Sequence, residues 1–235
     1  MTAGLLGTAL SKVDWNAHAQ SFIQDVASTD MMAKASLRLA VWSKQFENLE
    51  SGNPAICFVR EMQMGGQYVT ALVALALYKP AAASMRIILE SALYYTYFRV
   101  HPAELTTLVR SSKYFMSKAE VMEFHKNHTE NFGVLQQKLG LVTDLDGWYN
   151  RISAIMHGQI PGVWVTNRTL GDIKPVETIQ KLAIDEFTIC VDIVHRLFLC
   201  TTGRELWDNF TTTAKKSLIV GLPGDVKALL RLDSA

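Results

Sequence analysis

Apolar side chains recur at intervals of three and four residues along most of the chain, which is the periodicity of amphipathic helices. Turn clusters such as Ser51-Gly52-Asn53-Pro54 and His101-Pro102 interrupt the pattern. The segments predicted to be helical are 14–27, about 30–50, 54–79, 80–99, 102–110, 117–127, 131–139, 144–157, 175–209 and 225–232. Residues 163–169 alternate in polarity and favour at most one short strand, which cannot form a sheet alone. The predicted fold class is therefore all-α, a helical bundle in a single domain.

The same periodicity predicts which helix faces are buried. Apolar residues share one face of the first helix at Trp15, Ala19, Phe22, Ile23 and Val26, and they form a thick apolar face of the long helix near the C-terminus at Leu182, Phe187, Cys190, Val191, Val194, Leu197 and Phe198. The apolar positions of the second helix include Leu37, Ala40, Val41 and Leu49. The pair Gly65-Gly66 predicts either a bend or the close approach of a neighbouring helix. Tyr94 and Phe98 are expected in the core, and Tyr95 in a cleft or a dimer contact.

The composition is that of a globular protein with a substantial core, since 49% of the residues are hydrophobic and 19% are charged. The 23 basic and 22 acidic residues give a net charge of +1. This balance excludes a strongly basic nucleic-acid coat and an acidic tail, but it allows a small basic cleft. The three cysteines have no CxxC spacing, so neither a disulfide framework nor a zinc knuckle is predicted. A reduced, cytoplasmic protein is expected.

Two apolar runs, 69–78 and 81–98, are candidates for a membrane span. The first run ends at Lys79-Pro80, and the second carries Arg86 and Glu90 at its centre. A spanning helix needs about 20 mostly apolar residues, and charges inside a bilayer are costly. Both runs are therefore predicted to be core helices, no membrane is expected as a partner, and a membrane effector is a distant alternative. No positive charge precedes the short apolar stretch at the N-terminus, so no signal peptide is predicted.

One candidate constellation lies in the segment Tyr149–Gly158, YNRISAIMHG, where Arg151 precedes His157 by six positions. A histidine can move a proton from a ribose 2′-hydroxyl or to a leaving 5′-oxygen, and an arginine can hold a phosphate. In a regular helix these two side chains point about 120° apart. They would therefore need a local unwinding at Gly158 or a second copy of the chain across a dimer axis. The alternative is a helix-terminal histidine that makes a hydrogen bond in the core, with Arg151 at the surface.

A second constellation is Arg86 and Glu90, which are neighbours at i and i+4 in an otherwise apolar helix. Charges in such a helix are expected to be paired. They predict either a structural ion pair or a charged side chain that reaches a polar cleft beside His157.

These two constellations resemble, in this order and about 60 residues apart, the HEPN superfamily of prokaryotic defence and abortive-infection proteins. The resemblance covers about 54–200, so 1–53 and 201–235 are expected to be helical extensions of a HEPN-like core. It implies a bundle that forms a homodimer in which the motif helices meet. It also implies metal-independent RNA cleavage, with Arg151 and His157 as the catalytic pair and no metal or cofactor.

The remaining expectations concern the surroundings of that pair. The supporting side chains are expected to be Ser153, Arg86, Glu90 and Asn150. The expected function is an endoribonuclease of an antiviral defence or toxin–antitoxin system, with RNA as substrate and an antitoxin or partner defence protein as regulator. The alternative is a non-catalytic HEPN-like module that binds a protein partner or a ligand in a defence complex.

Other polar residues are expected to be structural. His125 and His128 are interpreted as a solvated helix face rather than a metal site, and His101 as a cap or turn residue. His195 is expected to be a hydrogen-bonded core or interface histidine. The acidic pair Asp185-Glu186 and the pair Lys215-Lys216 are interpreted as surface charge.

Overall fold

Helices account for most of the computed structural model, which describes residues 3–160, 162–164 and 167–230. The helices are α1 (Ala3–Ser11), α2 (Trp15–Gln24), α3 (Val26–Leu49), α4 (Ile56–Ala74), α5 (Tyr78–Phe98), α6 (Pro102–Arg110), α7 (Lys118–His128), α8 (Phe132–Leu139), α9 (Leu141–Met156), α10 (Glu177–Cys200), α11 (Thr202–Glu205), α12 (Thr212–Leu218) and α13 (Gly224–Leu229). Single 3₁₀ turns occupy Leu170–Asp172 and Trp207–Asn209. None of the described residues forms a strand, so the predicted all-α fold in one domain is confirmed.

Local capping chemistry sets several helix ends where the sequence predicts them. Ser117 caps α7 through a capping box, in which its hydroxyl accepts from the backbone N–H of Glu120 and the Glu120 carboxylate accepts from the backbone N–H of Ser117. Pro102 opens α6, where a missing backbone N–H costs nothing. In α5 the first turn begins at Tyr78, so Pro80 lies inside that turn rather than at its start.

Two predicted segments differ from the structure. The long helix α10 ends at Cys200 rather than near Asn209, because Thr201 takes the non-helical angles φ −132° and ψ −125°. Of the predicted short strand at 163–169, the described residues form bends and irregular backbone, and residues 165 and 166 lie outside the described part of the chain.

The core lies between α3, α4, α5 and α10, with α9 packed on α5 and α10. The rings of Trp42, Phe46 and Phe198 form its aromatic centre, with centroids 4.9–5.5 Å apart. The α4 glycines allow close helix contact, because a Cβ on Gly65 would lie 2.7 Å from Ile88 Cγ1. The close approach predicted for Gly65-Gly66 is therefore confirmed.

The apolar positions noted in α3 do not all face the core, although Val41 packs against it. Leu37 is 60% exposed and Leu49 is 38% exposed, whereas Met32, Leu39, Trp42 and Phe46 are the buried apolar stripe. Asp25 caps this helix, and apolar residues occur around more than one of its faces. Periodicity alone therefore does not select the face that meets α4 and α10.

The apolar positions predicted in α2 and α10 are also partly buried and partly exposed. In α10 the predicted face is buried except at Leu182, which is 40% exposed. In α2 only Phe22 is buried, while Ile23 is exposed, as is Val26 at the start of α3. Tyr95 is a core residue rather than a cleft or interface residue, and its buried hydroxyl donates to Glu50 at 2.7 Å.

Membrane-spanning character is not found within the described residues, where every helix is too short or too polar to cross a bilayer.

Two histidines are buried in this core. His195 accepts a hydrogen bond from Trp42 Nε1 at its Nδ1, so the prediction of a hydrogen-bonded core histidine is confirmed. His125 is also buried and contacts the hydroxyls of Thr96 and Thr129, so its assignment to a solvated face is wrong. Burial disfavours the charged imidazolium and lowers the pKa of His125 to about 4 and that of His195 to about 3.

These two histidines predict a loss of stability in mild acid. In the unfolded chain a histidine binds a proton near pH 6.5, whereas the folded state binds it only near pH 4 or below. Unfolding is therefore favoured as the pH falls below about 6.5, by on the order of 2 kcal/mol per histidine between pH 7.5 and 5.0. Urea unfolding at the two pH values measures this change.

The variant His125→Gln keeps hydrogen-bonding capacity and removes one titrating group, so we expect it to flatten the pH dependence. His128→Gln is the matched control, since His128 lies on the same helix and is exposed. An unchanged slope for His125→Gln would contradict the assignment.

Candidate active site

The packing of α5 against α9 brings the predicted polar side chains together. Tyr149, Ser153 and His157 follow one another at intervals of four residues, so they share one face of α9. Arg86 and Glu90 face them from α5, one turn apart. We refer to Arg86, Glu90, Tyr149, Ser153 and His157 as the α5–α9 cluster.

Arg86 is the centre of the α5–α9 cluster. Its Nε donates to Glu90 Oε1 at 2.8 Å, and its Nη2 donates to the Tyr149 hydroxyl at 2.6 Å. Its Nη1 lies 3.5 Å from both Ser153 Oγ and His157 Nε2, which is longer than an ordinary hydrogen bond. Since a guanidinium has only donors, Nε2 of His157 is the acceptor whenever this contact forms.

The same contacts fix the protonation of the two groups beside the histidine. Burial by itself would lower the pKa of Arg86, but Glu90 outweighs that effect and the pKa is raised. Burial and the Glu90 carboxylate both raise the pKa of Tyr149, so the phenol keeps its proton and donates it to Glu90 Oε1 at 2.9 Å. The cluster therefore presents a permanent cation beside a neutral phenol and an exposed imidazole.

A Schellman motif at the end of α9 positions His157. Gly158 N–H donates to Ile155 O at 3.2 Å, and Gln159 N–H donates to Ala154 O at 2.9 Å. This closure needs a residue with positive φ after His157, and Gly158 supplies it with φ +67°. His157 is thus the C-cap residue and is exposed at one end of the α5–α9 cluster. We call the surface between α5 and α9 around this cluster the groove.

Two lysines add positive charge along the same groove. Lys79 Nζ lies 3.8 Å from the position that a Cβ on Gly158 would take, and no ion pair is found for it in the described part of the chain. Lys118 Nζ lies 4.9 Å from the centre of the Tyr149 ring and also pairs with Asp146. Arg86 contacts the same ring at 4.7 Å. The groove thus has basic side chains at both ends of the α5–α9 cluster.

Arg151 lies on a different face of α9, towards α10. Its Nε and Nη2 donate to the two oxygens of Glu186 at 2.6 and 2.9 Å, and this pairing raises the pKa of Arg151. The side chain of Glu186 is 6% exposed, so its assignment to surface charge is wrong. The neighbouring arginines Arg38 and Arg196 are also paired, both of them with Asp192.

The structure therefore brings together only part of the predicted site. Ser153, Arg86 and Glu90 lie with His157: Arg86 forms the ion pair with Glu90 that was one of the two expectations, and its Nη1 lies 3.5 Å from Ser153 Oγ and His157 Nε2. The guanidinium of Arg151 is bound by Glu186, and Asn150 is exposed on the surface of α9.

Three further residues of the groove, Tyr149, Lys79 and Lys118, were not predicted as site residues. The four-residue spacing of Tyr149, Ser153 and His157 is a signal that could have placed Tyr149 in the site. No such signal exists for the lysines, because they come from the start of α5 and the start of α7.

The donor set of this site suits acid–base chemistry on an anion. Among the described residues, no group of three or more histidine, cysteine, aspartate or glutamate side chains is arranged to hold a metal ion. An imidazole can take up and release a proton near neutral pH, and a guanidinium can stabilise charge on a phosphoryl oxygen.

Comparison of the chain with protein-family models, with curated proteins and with solved structures gave no match. The resemblance to the HEPN superfamily therefore remains a prediction from the two motifs.

Replacement of Gly158 tests the closure that positions His157. A side chain at φ +67° is strained, so we expect Gly158→Ala to lower the free energy of unfolding by about 1–2 kcal/mol. Gly147 is the matched control, since it lies inside α9 with open space around it. Gly147→Ala should raise stability by roughly 0.5–1 kcal/mol. If urea unfolding shows that Gly158→Ala and Gly147→Ala change stability by similar amounts, the role of Gly158 in closing α9 is contradicted.

A double-mutant cycle tests the Arg151–Glu186 pair. Arg151→Gln leaves a buried carboxylate without its partner, and we expect a loss of about 1–3 kcal/mol in the free energy of unfolding. The double variant with Glu186→Gln should lose less than the sum of the single losses. Arg60→Gln, at an exposed ion pair with Glu47, should change stability by less than about 0.5 kcal/mol. Strict additivity would show that the pair is not coupled.

Proposed function

We propose that the chain is a metal-independent endoribonuclease that cleaves RNA at the α5–α9 cluster. The observation that supports the proposal is the distance of 3.5 Å between an exposed imidazole, His157, and a charged guanidinium, Arg86, in the groove, which has further basic residues. Proton transfer and charge stabilisation at one phosphate need those two groups close together.

His157 Nε2 takes the proton from a ribose 2′-hydroxyl in this reaction. The 2′-oxygen attacks phosphorus, the bond from phosphorus to the 5′-oxygen breaks, and the products are a 2′,3′-cyclic phosphate and a 5′-hydroxyl. The 5′-oxygen leaves on the side of phosphorus opposite to the attack, so its proton comes from a second group. In the expected homodimer, this group is the imidazole of a second copy of the chain.

Arg86 stabilises the charge that develops on the phosphoryl oxygens. It is held by Glu90 and Tyr149, so its position is set before RNA binds, and its Nη1 has no contact shorter than 3.5 Å in the described part of the chain. Arg151, the arginine of the predicted motif, has two guanidinium nitrogens bound to Glu186. Arg86 is likewise bound through two nitrogens, but only its third nitrogen lies beside His157, at 3.5 Å. We therefore assign the phosphate-binding role to Arg86 and a structural role to Arg151.

The biological setting is inferred from the HEPN resemblance alone. It favours a prokaryotic antiviral defence or toxin–antitoxin system, in which an antitoxin or a partner defence protein holds the nuclease inactive. If the protein does not cleave RNA, the alternative, a non-catalytic HEPN-like module, would be favoured.

Cleavage of a fluorescent single-stranded RNA in the presence of EDTA tests the proposal. We expect His157→Ala to lower the rate by roughly 10²–10⁴-fold, because it removes the proton-transfer group. Arg86→Ala should cause a loss of similar size, while Arg86→Lys should retain part of the rate because it keeps the charge. Arg151→Gln should retain activity in the fraction of protein that is folded.

The control is His128→Ala, which removes an exposed histidine from α7. Urea unfolding of each variant separates loss of activity from loss of fold. Equal cleavage by wild type, His157→Ala and Arg86→Ala would contradict the proposal, and so would cleavage that EDTA abolishes.

A further inference from the structure

A small cavity lies beside the α5–α9 cluster, on the side of Arg86 that faces α7. Its volume is about 230 Å³, and Arg86, Glu90 and Tyr149 form one wall. The opposite wall comes from α7 and the segment before it and includes Phe115, Ser117 and Lys118. Pockets for drug-sized ligands measure roughly 300–1,000 Å³, so this cavity is on the scale of a single ring system.

From this geometry we propose that the cavity binds the guanine base of the RNA nucleotide whose phosphate contacts Arg86 and His157. The inference rests on the proposed function, since it names the base that the nuclease recognises. Arg86 connects the two parts of the site, because its Nη2 contacts Tyr149 in the wall of the cavity and its Nη1 lies towards His157. A base and its own phosphate can therefore lie on the two sides of one guanidinium.

The aromatic lining provides a surface for stacking. Phe115 is 70% exposed and lies among the residues that line the cavity, so its ring is accessible to a ligand there. Bases of single-stranded RNA stack on aromatic side chains of this kind, with any of the four bases able to contribute a flat face. Phe115 thus explains why a base would bind, but it does not select which base.

The polar lining selects guanine. Glu90 uses Oε1 for Arg86 and Tyr149, while no described group binds its Oε2. This Oε2 has two acceptor sites and can accept from both N1–H and the N2 amino group, which only guanine presents side by side. Guanine also offers O6 and N7 as acceptors to cationic donors, and Lys118 Nζ and Arg86 are the cations of this cavity. The other bases match only part of this set.

Titration calorimetry with guanosine 3′-monophosphate and guanosine 5′-monophosphate tests the inference without any cleavage. We expect the wild-type protein to bind one of the two at least ten-fold more tightly than the corresponding adenosine, cytidine and uridine monophosphates. Phe115→Ala should weaken that binding by roughly ten-fold, because it removes the stacking surface. Glu90→Gln should remove the preference for guanine, because an amide presents a donor as well as an acceptor.

Leu37→Ala is the matched control, since it truncates an exposed apolar side chain on α3, outside the residues that line the cavity. It should bind guanosine monophosphate as the wild type does. A second measurement uses short RNAs that differ only in the base next to the cleaved bond, and wild type should cleave after or before guanine with a matching preference.

The two proposals fail separately. If guanosine monophosphate binds in a way that depends on Phe115 but RNA is not cleaved, the proposed base site is supported and the proposed nuclease activity is overturned. Cleavage that depends on His157 but is equal for all four bases, or is unchanged in Phe115→Ala, would retain the nuclease and overturn the base site. Preference for another base would overturn the assignment of guanine.

Discussion

The site depends on one guanidinium that is held between two helices. Arg86 is anchored from α5 by Glu90 and from α9 by Tyr149, and both contacts are short. A charged group in the groove between two apolar helices is costly unless hydrogen bonds satisfy it. Of its three nitrogens, Nε and Nη2 have close hydrogen-bond partners, while Nη1 faces Ser153 and His157. The ion pair therefore satisfies the charge and leaves one edge of it directed at the imidazole.

Much of the fold could be predicted from local sequence signals. The helix α6 and the start of α7 are set by Pro102 and by the Ser117–Glu120 capping box, and these depend only on residues a few positions apart. The buried face of α3 could not be predicted in the same way, because it is chosen by distant partners such as Phe198 and Phe210. The end of α10 was missed for a similar reason. Gly203 lies just beyond the end of α10, and a Cβ there would come within 2.6 Å of the Trp42 ring. The chain at this point therefore packs against a distant residue that local spacing does not reveal.

As with the fold, the part of the site that depends on local spacing could be predicted, and the part that depends on contacts between distant helices could not. His157, Ser153, Arg86 and Glu90 follow from spacing on two helices, and the closing Gly158 is visible in the sequence. The error concerned Glu186, which was interpreted as surface charge, and its pairing with Arg151 was missed because the two residues lie on separate helices. Spacing shows which residues share a face of one helix, but it does not show which helix covers that face. The burial of Glu186 is decided by the packing of α10 on α9.

Two arginines contact α9 or belong to it, and their carboxylate partners differ in burial. Arg151 meets a carboxylate with 6% exposure, in two short hydrogen bonds that use both of its oxygens. Arg86 meets a carboxylate with 38% exposure through one oxygen, next to an open cavity and an exposed histidine. A phosphate that competed with Glu186 would have to leave a carboxylate buried and unpaired, and this cost opposes binding. A phosphate at Arg86 would add to the existing contacts without breaking them. Arg151 is itself 44% exposed, and its Nη1 has only a 3.5 Å contact with Gly147 O, so access does not separate the two arginines. Position does: Arg151 faces α10, whereas Arg86 lies 3.5 Å from the imidazole of His157.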